Sequence, residues 1–98
     1  MNYSVRLREE AESDLAEAAA WYERQRVGLG HEFLDEVMNI LESTGVRPFS
    51  FPEVHRGIHR AIIGRFPFSV YYRVTGTQVV VLAIMHSTRH PARWQNRS

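Results

Sequence analysis

Two spacings of apolar residues divide the first half of the chain. Near the N-terminus, Tyr3, Val5 and Leu7 alternate with polar residues, and this period of two predicts a half-buried strand. From Glu9 onward the apolar residues recur every three or four positions, as they do on one face of a helix. The members of this face are Ala11, Leu15, Ala18 and Tyr22.

A second helical pattern follows the break "ERQRVGLG", in which Gly28 and Gly30 interrupt the periodicity. Gly45 marks the predicted end of this second helix. Because the connecting loop is short, we expect the two helices to form an antiparallel hairpin. The shared apolar face of the second helix consists of Phe33, Val37, Ile40, Leu41 and Thr44.

The second half of the chain reads as a loop followed by three strands. The segment "VRPFSFPEVHRG" predicts an ordered loop, and "GRFP" and "TGTQ" are short enough to be hairpin turns. The apolar runs that they separate are Ile58–Ile63, Phe68–Val74 and Val79–Met85. The last run is apolar on both faces, so it belongs at the centre of a sheet that is covered on both sides. We therefore predict one α+β domain over residues 1–98, in the order β-α-α-β-β-β.

The pattern also predicts which aromatic and aliphatic residues meet. Trp21, Tyr22 and Phe33 are expected to be core aromatics, whereas Trp94 either folds back onto the helices or awaits a partner. Tyr71 and Tyr72 must face opposite ways, one into the core and one onto an exposed or partner-covered face. The predicted helix contacts are Leu15, Tyr22, Phe33, Val37 and Leu41, and the predicted sheet contacts are Val70, Tyr72, Val81 and Ala83.

Charge is divided sharply along the chain. Residues 1–53 hold all eleven acids, whereas residues 54–98 hold seven arginines, four of the five histidines and no acid. All twelve basic residues are arginine. A half-chain of this kind favours a phosphate or an acidic protein as its partner. There is no cysteine and no apolar run long enough to span a membrane, so we expect a cytoplasmic protein without disulfides.

Taken in order, three segments resemble the RelE/ParE superfamily of type II toxin–antitoxin toxins. They are "EEAESDLAEAAAWYE", "GIHRAIIGRFPFSVYYRV" and "VVVLAIMHSTRHPARW", and together they cover nearly the whole chain. The resemblance implies a helical hairpin packed on a twisted, mainly antiparallel sheet. It also implies a growth-arresting toxin that a cognate acidic antitoxin neutralises, with a toxin–antitoxin hetero-oligomer as one expected assembly.

The superfamily contains two functional classes, and this chain resembles one more than the other. RelE-like members cleave mRNA on the ribosome with a lysine-containing basic cluster, but this chain has no lysine and carries no charge around Phe68–Ser69, where that class has an arginine. ParE-like members block DNA gyrase and commonly show "YRV"-like and "LH"-like strand ends before a basic tail. The matching positions here are Arg60, Tyr72, Arg73, His86 and Arg89, with His90 departing from the usual Asp.

The resemblance and the charge pattern together nominate a set of site residues. If the chain is a nuclease, the catalytic candidates are Arg60, Arg73, His86 and Arg89, and we expect the three arginines to converge. The candidate binding residues are Arg56, Arg60, Arg65, Arg73, His86, Arg89, Arg93 and Trp94. The histidine pairs four residues apart lack a third ligand, so no metal or other cofactor is expected.

The functional expectation is therefore gyrase inhibition, with the antitoxin and DNA gyrase as partners and no membrane. Two alternatives stay open at this point. One is a RelE-like endonuclease that acts on ribosome-bound mRNA, with Arg60 as a phosphate ligand and His86 as the proton-transfer group. The other is a degenerate toxin that only binds its antitoxin.

Overall fold

A computed structural model describes residues 2–97 of the chain. In chain order its elements are β1 (Ser4–Leu7), α1 (Glu9–Gln25), α2 (Leu29–Val46), a 3₁₀ turn (Pro48–Ser50), β2 (Glu53–His55), β3 (Ile58–Ile62), β4 (Phe68–Thr75), β5 (Gln78–His86) and α3 (Ala92–Gln95). No helix among the described residues combines the length and apolar character that a membrane crossing requires.

The five strands form one mixed sheet in the order β1-β5-β4-β3-β2. β1 runs parallel to β5, and the other neighbouring pairs are antiparallel. β5 lies between β1 and β4, which explains why nearly all of its residues are apolar. The predicted α+β class and the mainly antiparallel sheet are confirmed, and the segment predicted as a loop additionally contains the 3₁₀ turn and β2.

The helical hairpin packs on one face of this sheet, as the two periodicities predict. Phe33, Val37 and Leu41 of α2 are buried against sheet residues that include Val70, Tyr72 and Val81. Leu15 and Tyr22 of α1 are partly buried at the margin of the same core.

The turn between the two helices is closed by one carboxylate. Glu23 accepts hydrogen bonds from the backbone N–H groups of Gly28, at 2.9 Å, and Gly30, at 3.0 Å. A single side chain at the end of α1 thus fixes the start of α2.

A β-bulge in β5 overturns the prediction that Ala83 faces the helices. Tyr71 is paired with Ala83 but Tyr72 is paired with Val81, so Leu82 is an extra residue on β5. The extra residue reverses the alternation of side chains. As a result Ala83 joins Leu82 on the sheet face that looks away from α1 and α2, here called the far face.

The far face carries a second, smaller core. Ile58, Tyr71, Val80, Leu82 and Met85 are buried there together with Trp94 of α3. The sequence predicts that Trp94 either folds back onto the helices or awaits a partner. The residue does fold back, but it packs on the far face of the sheet.

The prediction that Trp21 is a core aromatic is wrong. Its side chain is 50% exposed, and its ring meets only the edge of Tyr22, with 5.1 Å between ring centroids. Adjacent helical residues point about 100° apart, so Trp21 and Tyr22 cannot both face the sheet. Phe33 and Tyr22 occupy the positions predicted for them.

Candidate binding surface

Among residues 2–97, arginines concentrate on the far face and the acidic side chains lie mostly on the other side of the molecule. Ten of the eleven acids lie within α1 and α2, and Glu53 of β2 is paired with His59, whose ring stacks on the core residue Tyr72. Arg60 and Arg73, in contrast, are paired with the far-face residues Tyr71 and Ile58. The division of charge along the sequence thus becomes a division between two faces of the fold.

Arg73 supports the turn between β2 and β3. Its guanidinium donates a 3.1 Å hydrogen bond to the carbonyl of Arg56 and lies over Gly57. Both turn residues have positive φ, +23° at Arg56 and +82° at Gly57. Arg56 and Arg73 therefore bring two positive charges to one end of the far face.

Arg60 occupies the middle of β3 and has an unmet hydrogen-bond donor. Its Nε is buried and lacks a hydrogen-bond partner, although backbone pairing places the residue directly opposite Tyr71. A buried donor without a partner costs about 1–3 kcal/mol, so such groups need an explanation.

Trp94 covers this part of the far face. Its indole stacks on Tyr71, with ring centroids 4.4 Å apart and an interplanar angle of 13°, and it meets the edge of His55 at 6.2 Å. His55 lies on β2 and Tyr71 on β4, so the indole reaches across β3, the strand that carries Arg60.

An ion pair fastens the C-terminal segment to the first helix. Arg97 contacts the Asp14 carboxylate at 2.6 Å and the carbonyl of Leu82 at 3.2 Å, while Asp14 also accepts the N–H of Ile84 at 3.0 Å. The backbone carbonyl of Arg97 in turn accepts a 2.6 Å hydrogen bond from Arg8. These contacts hold α3 against the sheet and cover the edge of β5 beyond the end of β1.

His86 lies apart from the far-face arginines. It is paired with Phe68, a residue of the helix-side core, and their ring centroids are 5.6 Å apart. Its Nδ1 accepts the N–H of Thr88, at 3.2 Å, and contacts the Thr88 hydroxyl at 2.7 Å. Both contacts hold the turn after β5, so His86 serves here as a turn-stabilising residue.

The expected convergence of Arg60, Arg73 and Arg89 does not follow from the sheet register. Arg73 is level with Val80 near the start of β5, whereas Arg89 lies in the turn beyond His86 at the end of that strand. Six strand residues span roughly 20 Å at about 3.3 Å each. Arg60 and Arg73 thus share the far face, and Arg89 belongs to its opposite end.

Arg65 is also outside the far-face group. It pairs with Glu32 of α2 at 2.9 Å and lies 5.5 Å from the centre of the Phe66 ring. Its hydrogen bond to Glu32 lowers the pKa of that carboxyl and raises the pKa of the Arg65 guanidinium. Both groups are exposed, so this ion pair is a modest surface contact.

The remaining candidates fall on either side of the sheet. Arg93 is exposed on α3, above the far face. Tyr72, which matches the family pattern, is in the helix-side core, where its hydroxyl donates to the carbonyl of Pro48. Burial raises the pKa of Tyr72 to about 12, so it stays protonated and structural at neutral pH.

The surface also includes three residues that were not nominated from the sequence, namely Asp14, Arg97 and His55. For Asp14 a signal existed: it lies three residues after Ala11 and four before Ala18, on the apolar side of α1. An acid at such a position needs a partner, and Arg97 supplies it from 83 residues away.

The chemistry of this surface suits the binding of anionic groups better than it suits proton transfer. Guanidinium groups bind carboxylates and phosphates, and at a pKa above about 12 they are poor proton carriers. Among residues 2–97, no group of three or more histidines and acids is arranged to hold a metal ion.

A shallow cleft of about 310 Å³ opens elsewhere, between β1 and α2. Its lining is mostly apolar and consists of Val5, Leu7, Met38, Asn39, Leu41 and Glu42. Met38 is 57% exposed there, so the cleft is a second accessible surface on the helix side.

Two solved structures that share this fold come from toxin–antitoxin systems. A chain of the chromosomal ParDE system from P. aeruginosa superposes with a TM-score of 0.71 and 19% identity, over 86% of this chain and 95% of its own. A chain of the RelBE2 toxin–antitoxin complex from Mycobacterium tuberculosis superposes with a TM-score of 0.64 and 21% identity, over 88% of this chain and 99% of its own. A comparison with curated protein sequences gives no significant match.

The fold is thus that of the RelE/ParE superfamily of small toxins. Within it, the chain belongs to the family of ParE toxins of type II toxin–antitoxin systems, whose family model matches residues 5–91.

Proposed function

We propose that this toxin arrests growth by binding DNA gyrase and that an acidic antitoxin segment neutralises it. The observation that carries the proposal is the placement of the candidate residues on the two faces of the sheet. Arg60 and Arg73 lie on the far face, whereas His86 packs beside Phe68 of the helix-side core.

Ribonuclease chemistry needs more than this surface offers. Cleavage requires a group that removes a proton from the 2′-hydroxyl and a group that protonates the leaving oxygen, both beside the phosphate-binding residues. The far face supplies guanidinium groups and the imidazole of His55, which meets the edge of Trp94. Tyr71 is stacked under Trp94 and His86 is on the other side, so neither joins His55 as the second proton-transfer group that cleavage needs. Binding to gyrase needs only a shaped, positively charged surface.

The antitoxin is expected to be acidic because the part of the far face that the structure describes presents arginines and no acidic side chain that would repel it. Opposite charges increase the rate of association, and salt weakens this attraction over a screening length of about 8 Å at physiological ionic strength. Antitoxin binding should therefore slow as the salt concentration rises. An antitoxin that also covers the cleft between β1 and α2 would gain apolar contacts that salt leaves intact.

The test adds the purified protein to two separate assays, gyrase supercoiling and translation on ribosomes. We expect inhibited supercoiling and intact mRNA, with activity restored by the antitoxin. Codon-specific mRNA cleavage with normal supercoiling, lost on His86→Ala, would instead place the protein among the RelE-like nucleases. Folded protein that affects neither assay and leaves growth unchanged would make it a toxin that only binds its antitoxin.

A further inference from the structure

The unmet donor of Arg60 needs a partner that residues 2–97 do not provide. Nε is buried without a hydrogen bond, and among the described residues every carboxylate except Glu53 lies on α1 or α2, on the other side of the sheet. Glu53 is engaged with the backbone N–H of Gly57 at 3.0 Å. The guanidinium edge formed by Nε and one Nη presents two parallel N–H groups, which match the two oxygens of one carboxylate.

The surroundings of Arg60 favour a protein ligand over a nucleic acid. Arg60 is flanked by Tyr71 and lies below Trp94, and Trp, Tyr and Arg are the residues that dominate protein–protein binding energy. A nucleic-acid strand would stack its bases on exposed aromatic rings. Here Tyr71 is 1% and Trp94 is 5% exposed because the two rings stack on each other, so neither ring face is open to a base while α3 is closed.

The segment that covers Arg60 is held in place by an ion pair, which a change of one side chain would remove. Trp94 belongs to the short helix α3, and just beyond this helix Arg97 binds Asp14 at 2.6 Å. Both partners of this ion pair are partly buried, at 23% and 15% exposure, so the pair is shielded from solvent. Losing it would loosen the end of the segment that carries Trp94, which the hydrogen bond from Arg8 to the carbonyl of Arg97 would still hold at one point.

We propose that Arg60 binds a single carboxylate from an acidic protein segment, and that α3, fastened by the Asp14–Arg97 ion pair, closes over this site until the segment enters. The inference rests on the proposed function only in taking the partner to be a protein. It adds the point of contact, the chemistry of the ligand and the element that controls access.

Binding is tested on the isolated protein with a five-residue glutamate peptide, by following the arginine Nε–H signals in ¹H–¹⁵N NMR spectra. We expect a saturable shift of the Arg60 signal, whereas Arg24, an exposed arginine on α1, should shift only in proportion to ionic strength. Arg60→Lys keeps the charge but removes the two parallel donors, so saturable peptide binding, followed for this variant and the unchanged protein by isothermal titration calorimetry, should be abolished. Equal, unsaturable shifts at both arginines would overturn the proposal, as would unchanged binding in Arg60→Lys.

The closing of α3 over Arg60 is tested in a Trp21→Phe background, where Trp94 is the only tryptophan. Peptide binding should shift the emission of Trp94 to longer wavelength as the indole leaves Tyr71. Arg97→Gln releases the ion pair but leaves Asp14 bonded to Ile84, so the fold should persist. The peptide should then bind about fivefold more tightly, because less binding energy is spent on lifting α3.

Two results would contradict this part of the proposal. If Arg97→Gln leaves both the emission and the peptide affinity unchanged, the ion pair does not control access. If pentauridylate saturates Arg60 at lower concentration than the peptide, the ligand is a nucleic-acid phosphate and not a protein carboxylate. Because the readout is binding to the toxin alone, a negative gyrase assay leaves the test intact.

Discussion

The hydroxyl of Tyr72 donates a 2.5 Å hydrogen bond to the backbone carbonyl of Pro48 in the interior of the protein. This bond joins β4 to the 3₁₀ turn that follows α2, over 24 residues of sequence. Tyr72 is fully buried, and the bond satisfies both its hydroxyl and a carbonyl that would otherwise be buried without a donor.

The first prediction concerns stability at alkaline pH. Burial raises the Tyr72 pKa from 10.0 to about 12, so the native state holds this proton more tightly than the unfolded chain does. The contribution of Tyr72 to stability is complete below pH 10 and is lost as the pH rises from 10 to about 12. Urea titrations should show the free energy of unfolding falling over this range by up to about 1.4 kcal/mol per pH unit.

Tyr72→Phe is the matched variant for this prediction. It should remove this part of the pH dependence while costing about 1–3 kcal/mol at neutral pH, because the Pro48 carbonyl loses its donor. Other tyrosines, including Tyr22, contribute to both proteins, and the difference between the two curves isolates Tyr72. Parallel curves from pH 9 to 12 would contradict the assignment.

The second prediction tests whether β5 is the centre of the fold. Val81 is fully buried, and Val81→Asp would place an unpaired charge between the sheet and the helices. Several kcal/mol of destabilisation should follow, enough to unfold a domain of this size. The same change at Val27, which is 88% exposed, should leave the melting temperature nearly unchanged. A cooperatively folded Val81→Asp protein would rule out a central β5.

The third prediction concerns the turn that Arg73 supports. At Gly57 the φ angle is +82°, and an added Cβ would lie 2.6 Å from Nη1 of Arg73, so Gly57→Ala both strains the backbone and displaces the guanidinium. Gly76→Ala, at φ +60° with open space around it, carries only the backbone cost of about 1–2 kcal/mol.

Thermal unfolding of both alanine variants, each with and without Arg73→Met, separates the two effects. The Gly57→Ala cost should exceed the Gly76→Ala cost only where Arg73 is present. A difference that persists in the Arg73→Met background would mean that Arg73 is not the displaced group.

The fourth prediction separates His86 from the binding surface. His86 stabilises a turn through Thr88, so His86→Ala should leave toxicity within a few-fold of the natural protein. Arg89 is exposed, and Arg89→Glu should abolish toxicity by reversing charge at the partner contact without disturbing the core. Arg24→Glu, an exposed reversal on α1, serves as the control and should remain toxic. Growth curves after induction give the answer, with the soluble level of each protein measured alongside.

Much of the fold could be predicted because it follows from local periodicity. The period of two at Val5 and Leu7 and the helical spacing through Phe33 and Val37 each reflect a single element with one buried side. The face of the sheet on which Ala83 lies could not be predicted, because a β-bulge reverses the alternation of side chains along β5. Only the pairing of β5 with β4 reveals this bulge. The burial of Trp94 depends equally on Tyr71, 23 positions earlier in the sequence.

The site was predictable in its chemistry but not in its geometry. The run of acid-free sequence after Glu53 correctly indicates a basic face, since Arg60 and Arg73 share the far face. The placement of His86 on the other face of the sheet follows only from its pairing with Phe68, which the sequence does not reveal. The ion pair between Asp14 and Arg97 joins nearly opposite ends of the chain, which no local pattern encodes.

The parallel pairing of β1 with β5 also has a consequence for synthesis on the ribosome. The first strand made, Ser4–Leu7, has its only partner strand at Gln78–Val81, so it must wait unpaired while the chain between them is translated. Contacts between residues so distant in sequence form late and slow folding. A nascent or prematurely terminated chain that stops before Gln78 lacks β5, the strand that joins β1 to β4. The core of the far face, to which β5 and Trp94 both contribute, can therefore be completed only after β5 and α3 have been translated.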